Sequence, residues 1–343
     1  MSAVARVSVC AAVVGAAVWI SGPTAWADVV PGGKGTGSET QANTDQKDQT
    51  VSVTAGAVVY DTSKNGSGQS AGSVTPTTTW TPPACYYAPK YTPAELKVYL
   101  EPIWAAESTG YEWDAQQRDR YVKGHPYKDF NKDKTGKGYW WDSYVTQGRE
   151  GDPGALACTK PIFWVDTGTA PPADIPQAVT PKILAELAYN EIRVPSTRVT
   201  LAPTDATKVN LPTWAWLDGA EFKPVSVTAS VPLLGISATA TAEPYSLKID
   251  PGTSDAVTYP ASGVCDFNNG RIGEPYANGK ADQTPPCGVK YLRSSGNSSF
   301  PLKATITWKI HWKGSDGNGD DLPDGEFGAT QNVTVQEIQA VNR

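Results

Sequence analysis

From residue 193 onward, apolar positions recur with period two. Val225, Val227, Ala229 and Val231 alternate with polar neighbours, as do Tyr245, Leu247 and Ile249. Ile306, Trp308, Ile310 and Trp312 alternate with Thr305, Thr307, Lys309 and His311. Trp214 and Trp216 share one face of the stretch 211–217, Val199 and Leu201 open the series, and 235–242 adds a strand of small side chains. Side chains along a strand point to opposite faces in turn, so this pattern predicts half-buried strands. Pro, Gly and Asp separate them at close spacing. The chain is therefore expected to be mainly β, with an Ig-like antiparallel β-sandwich over 193–343. The stretches 303–313 and 331–341 are expected to pair, with a polar loop over 315–328.

Residues 80–192 read differently, as a small helical and loop-rich region. Thr92-Pro93-Ala94-Glu95 is a helix start, with Thr92 as N-cap, Pro93 at the first position and Glu95 closing a capping box. Leu96, Leu100, Ile103 and Trp104 then fall on one face. Thr180-Pro181 opens a second helix whose stripe is Ile183, Leu184, Leu187, Ala188 and Ile192, and Pro195 stops it. Between them, 161–165 (PIFWV) predicts a short buried strand, whereas the polar, aromatic stretch 111–154 reads mostly as loop.

Residues 28–79 are rich in Gly, Ser, Thr, Gln, Asp and Lys, a composition that buries too little apolar surface to offset chain entropy. This segment is expected to be a disordered, flexible leader, with one short strand within 51–60. Residues 1–27 predict a signal peptide. Arg6 precedes an apolar run over 7–20, and Ala25-Trp26-Ala27 places small residues at the cleavage positions, so the mature chain is expected to begin at Asp28. The run is about fourteen residues, short of the ~20 that a spanning helix needs. Cys10 lies inside the run, behind Val9, rather than at a lipoprotein cleavage point. No later stretch predicts a membrane span, so the chain reads as secreted and extracellular.

Beyond Cys10, four cysteines remain: Cys85, Cys158, Cys265 and Cys287. An even count in an exported chain predicts two disulfides. Of the three pairings, Cys85–Cys158 with Cys265–Cys287 is the most economical, because each bridge stays within one expected domain. A metal alternative is poorly served, with no C-x-x-C pair and only two histidines. The formal charge is −6, becoming about −7 once Arg6 is removed. Such an acidic chain carries no electrostatic footprint for nucleic acid or anionic lipid.

Catalytic and cofactor motifs are scarce. No G-x-S-x-G elbow accompanies His125 or His311, and no Gly-Lys pair has the spacing of a phosphate loop. No G-x-G-x-x-G follows a strand. The best metal candidate is the stretch after residue 315. Asp316, Asn318, Asp320 and Asp324 put carboxylate and amide oxygens at spaced positions on a Gly-rich turn, as in the first half of a calcium loop. Asp321 and Glu326 are reserve ligands. The match is partial, since Phe327 stands where an EF-hand has Glu and Asp321 where it has Gly. The alternative is a solvated hairpin whose charges protect a sheet edge. The stretch 129–136 has similar spacing but interleaved lysines, which repel a cation. Finally, Glu107, Glu112, Asp114, Asp119, Asp142, Glu150 and Asp152 lie among Trp104, Trp113, Trp140 and Trp141. Paired carboxylates with aromatic platforms are the tools of a glycosidase, aromatics alone can bind sugar, and Trp is on average mostly core.

The segment 209–217 (VNLPTWAWL), Cys265 and Cys287 followed by Tyr291, Thr305-Ile306-Thr307-Trp308 with Trp312, and the closing 335–342 (VQEIQAVN) together carry a resemblance. Over roughly 181–343 the chain resembles a group of secreted actinobacterial, Streptomyces-like proteins with an Ig-like β-sandwich. The resemblance implies that fold and an extracellular setting, and no catalytic residue. The expected function is a non-enzymatic extracellular module that binds or assembles at the cell surface, its partner a cell-envelope protein or glycan. The rival is an extracellular glycan hydrolase using carboxylates within 104–152.

Overall fold

The computed structural model describes residues 57–66, 71–106, 109–195, 197–204, 206–217, 222–268 and 270–338. The expected signal peptide, the cleavage point before Asp28, the first half of the expected leader and Glu107 lie outside them. The described fold is mainly β, with 42% strand against 17% helix, and its large sheets are antiparallel, consistent with a sandwich.

Three long strands form its frame. Ile236–Asp250 pairs with Phe300–Gly314, which pairs in turn with Gly319–Gln336. Val225–Val231 adds to the other side of Ile236–Asp250. The inner face of this sheet carries Ala238, Ala240, Ala242, Leu247, Ile249, Leu302, Ala304, Ile306 and Trp308, all buried. A second set of strands, centred on Pro212–Leu217 and Gly288–Tyr291, contributes Ala215, Leu217, Val289 and Tyr291 to the same core. Val264–Asn268 pairs with both Ile236–Asp250 and Arg271–Gly273 and so links the two sets.

The sequence separates 235–242 from the strand bearing Tyr245, but they form one strand. A β-bulge between Pro244 and Ser246 adds a residue opposite Phe300–Gly314. The extra residue reverses the phase of the alternation, so Ala238, Ala240 and Ala242 and then Leu247 and Ile249 all face inward. Tyr245 turns outward and is exposed.

The expected loop over 315–328 is mostly strand as well. Lys313 pairs with Gly319, so the turn is only Ser315 to Asn318, and strand resumes at Gly319. Gly314 N–H donates to the carbonyl of Asn318, and Asp316 accepts from the Asn318 backbone. Asp-Gly and Asn-Gly are hairpin-turn residues, which is what this stretch uses them for. A second bulge, at Pro323 and Asp324, faces Lys309.

The two predicted helices form where expected. Helix α1 (Pro93–Ala105) has both arms of its capping box and buries Leu96, Leu100 and Trp104. A further helix, α2 (Tyr111–Tyr121), replaces part of the expected loop. Its residues lack an apolar stripe but are mostly good helix formers, with acids in the first turn and Arg118 and Arg120 in the last, matching the helix dipole. Gly110 precedes it at φ 93, a left-handed conformation that favours glycine. Helix α3 (Pro181–Asn190) is capped by Thr180, whose hydroxyl accepts from Ile183 N–H at 3.3 Å. It packs on Ile236–Asp250 and Val225–Val231, where the alanines leave room for a helix. The expected boundary at 192/193 therefore runs through a shared core that includes Leu184, Leu187, Ile192 and Val227.

A three-stranded sheet, Cys85–Tyr91 with Gly138–Val145 and Phe163–Asp166, supports α1 and α2. Between them lies a second core of Leu96, Leu100, Trp104, Tyr121, Phe130, Trp140, Ile162 and Trp164. Both favoured disulfides form, Cys85–Cys158 and Cys265–Cys287.

The described part of the expected leader is not a free tether. Val59–Asp61 pairs with Val225–Val231, Gly72–Ser73 with Arg193–Val194, and Thr75–Pro76 with Gly319–Gln336. The described residues 57–66 and 71–76 thus strap the two outer strands of the frame, with Val58 and Val74 buried. At Gly325 the fit is close: a Cβ there would lie 2.7 Å from that of Val74. Its valines and backbone pairing hold a segment whose mean composition reads as disordered.

Candidate functional site

The candidate calcium ligands do not converge. Asp316 and Asn318 sit in the hairpin turn, where Asp316 accepts from the Asn318 amide at 2.7 Å. Asp320 lies beyond it, opposite Trp312, and Asp321 opposite His311. Asp324 is four residues further along the strand than Asp320, or roughly 13 Å at ordinary strand rise. Its carboxylate holds Lys309 at 2.8 Å, and that hydrogen bond keeps the Lys309 ammonium protonated to higher pH than usual. Among the described residues, no group of three or more His, Cys, Asp or Glu is placed to hold a metal ion. These acids instead charge a strand that is only partly covered, the arrangement that discourages edge pairing.

The described carboxylates of 104–152 are likewise dispersed. Asp114 is buried and accepts from the Thr109 hydroxyl at 2.7 Å. Asp142 is paired with Lys90 at 2.7 Å and Asp152 with Arg149 at 2.6 Å. Glu150 accepts from the Gly148 backbone, and Glu112 is exposed. Trp104, Trp140 and Trp141 are core residues. His311 is exposed on the outer face of Phe300–Gly314.

One part of this region does form a site. A cleft of about 560 Å³ is lined by Trp113, Ala115, Gln116, Gln117, Asp119 and Arg120 of α2 and by Lys123, His125 and Pro161. Trp113, Gln116, Gln117 and Arg120 are spaced i, i+3, i+4 and i+7 along one side of α2, Gln117 being mostly buried, and Ala115 and Asp119 extend the wall round the helix. The helix is fixed from beneath by Tyr121, which is buried in the second core and donates its hydroxyl to the Ile162 carbonyl at 3.0 Å. After α2 the chain doubles back through a bridge between Lys123 and Lys128, and Tyr127 N–H donates to the Arg120 carbonyl. This return places His125 beside Asp119, at 3.3 Å. Trp113 is half-buried at the edge of the second core, which leaves part of its ring toward the cleft. The cleft therefore offers an aromatic surface, two side-chain amides and a cationic end. Sequence reasoning singled out Trp113, Asp119 and His125 but missed Gln116, Gln117, Arg120 and Lys123. For the first three the only signal is helical spacing, which has meaning once 111–121 is known to be helix; Lys123 lies beyond the helix end.

Comparison with family profiles, with curated proteins and with solved structures returns no match for the chain.

Proposed function

We propose that this chain is a secreted, non-enzymatic binding module of the cell surface that engages a cell-envelope glycan through the α2 cleft. The observation that carries the reading is the helix face itself. Helix α2 turns Asp114, Gln117 and Tyr121 inward, while Trp113, Gln116 and Arg120 keep surface on its flank. The last three line the cleft. A Trp face stacks on the apolar face of a sugar ring, and glutamine amides both donate to and accept from hydroxyls. Two disulfides and the absence, among the described residues, of a helix able to cross a membrane are compatible with an extracellular setting. So are the signal-like residues 1–27 and the resemblance of 181–343 to secreted actinobacterial Ig-like proteins.

The test uses protein-free envelope polysaccharide and the chain as exported. It should bind, and Trp113→Ala should lose at least tenfold in affinity while remaining folded by far-UV circular dichroism. Equal binding by wild type and Trp113→Ala refutes the site. Binding that needs intact envelope protein and survives polysaccharide digestion makes the partner a protein. New reducing ends released on incubation would show turnover and favour the hydrolase. N-terminal sequencing of the exported protein should recover Asp28; recovery of Met1 refutes processing.

A further inference from the structure

The cleft has more positive charge than its own residues use. Asp119 faces His125. Neither Arg120 nor Lys123 has an ion pair among the described residues. The Arg120 guanidinium lies 5.7 Å from the Tyr121 ring centroid and 5.8 Å from that of Tyr127. Its Nε is buried without a hydrogen-bond partner, although the residue as a whole keeps exposed surface on the cleft. Packing and ring contacts, not a counter-ion, therefore hold this arm in place. Lys123 follows on the exposed lip of the same cleft. Asp119 supplies one negative charge against Arg120 and Lys123, so by formal count the cleft is net positive by one in a chain of formal charge −6.

Resting on the glycan reading above, we infer that the α2 cleft takes an acidic saccharide, with a sugar ring on Trp113 and its carboxylate on Arg120 and Lys123. A guanidinium binds a carboxylate through two parallel hydrogen bonds, and one already held by aromatic rings loses less freedom in doing so. A neutral sugar would leave the net positive charge of the cleft unmatched. A small inorganic anion would leave the Trp ring and the two amides unused.

Matched probes test this: oligosaccharides of galacturonate, glucuronate or N-acetylmuramate and their methyl esters, titrated calorimetrically against the full exported chain at low salt. At least one acid should bind tenfold or more tightly than its ester, and 0.5 M NaCl should shrink that advantage. Arg120→Gln should abolish the preference. Lys123→Gln, an exposed substitution that leaves the fold intact, should reduce it severalfold. Trp113→Ala should weaken acid and ester alike. If acids and esters bind equally and both depend on Trp113, the charge inference fails and the glycan reading stands. If none binds and Trp113→Ala changes nothing, both fail. If poly-glutamate binds as tightly as the best uronate, the site reads charge on a peptide and the saccharide inference is overturned.

Discussion

The hydroxyls of Thr207 and Thr213 lie 2.5 Å apart, on residues that are 1% and 0% exposed. Thr207 sits on the short strand that runs parallel to the end of Gly319–Gln336, and Thr213 on the inner face of Pro212–Leu217. Valine replaces each hydroxyl with a methyl of similar size and keeps the β-branch that suits a strand. Changing one partner leaves the other hydroxyl buried without its hydrogen bond, which costs about 1–3 kcal/mol. Changing both removes the need for it, so the double variant should lose far less than the two singles together. Taking about 2 kcal/mol for each single, the melting temperature should fall by about 4–8 °C in Thr207→Val or Thr213→Val, and by less than either in the double. The assay is equilibrium denaturation of the four proteins, with Trp fluorescence and far-UV circular dichroism required to give coincident transitions before free energies are compared. Losses that add to within about 0.3 kcal/mol would show that the two hydroxyls do not act as a pair.

Replacing Cys265 and Cys287 by serine opens a loop with a sequence separation of 22, which the chain-entropy model values at about 3.4 kcal/mol. Denaturant midpoints of the variant and wild type measure this, and non-reducing mass mapping should find both bridges in the wild type. Because the acids of the 316–324 stretch do not converge, millimolar calcium and EDTA should give superimposable melting curves; a calcium-dependent rise lost in Asp316→Ala would restore the metal reading. Burial pushes the Glu186 carboxyl above its usual range, so the fold favours its protonated form. That preference is present below the unfolded-state value and is lost as pH rises through the folded-state value. Glu186→Gln should therefore melt higher than wild type at pH 7 and lose that advantage near pH 4; an advantage independent of pH would assign it to packing instead.

Local signals in this chain are legible where they are self-contained. Thr92-Pro93-Ala94-Glu95 makes its own capping box, and the 305–312 alternation needs only the strand period to place Trp308 inside. The more economical disulfide pairing is likewise the one formed. Features set by a neighbouring strand are not legible. The bulge at Tyr245 breaks the phase of one long strand, so its halves look like two. The acids after residue 318 look like a loop because they charge an outer strand. Helix α2 carries no apolar periodicity because two of its three buried positions, Asp114 and Gln117, are polar, so nothing in the pattern marks its inner face.

The strap formed by 57–66 and 71–76 constrains how this chain can be trimmed. A protein begun at residue 80, where the composition changes, would leave Val225–Val231 without its outer partner and uncover part of Gly319–Gln336 on the opposite side. That leaves two sheet edges more open to pairing with another chain, the second of them guarded by its acids. Two full-length chains that traded straps would instead close each other's sheets and stop at a dimer. The segment whose composition looks most dispensable is thus the one that covers both outer strands.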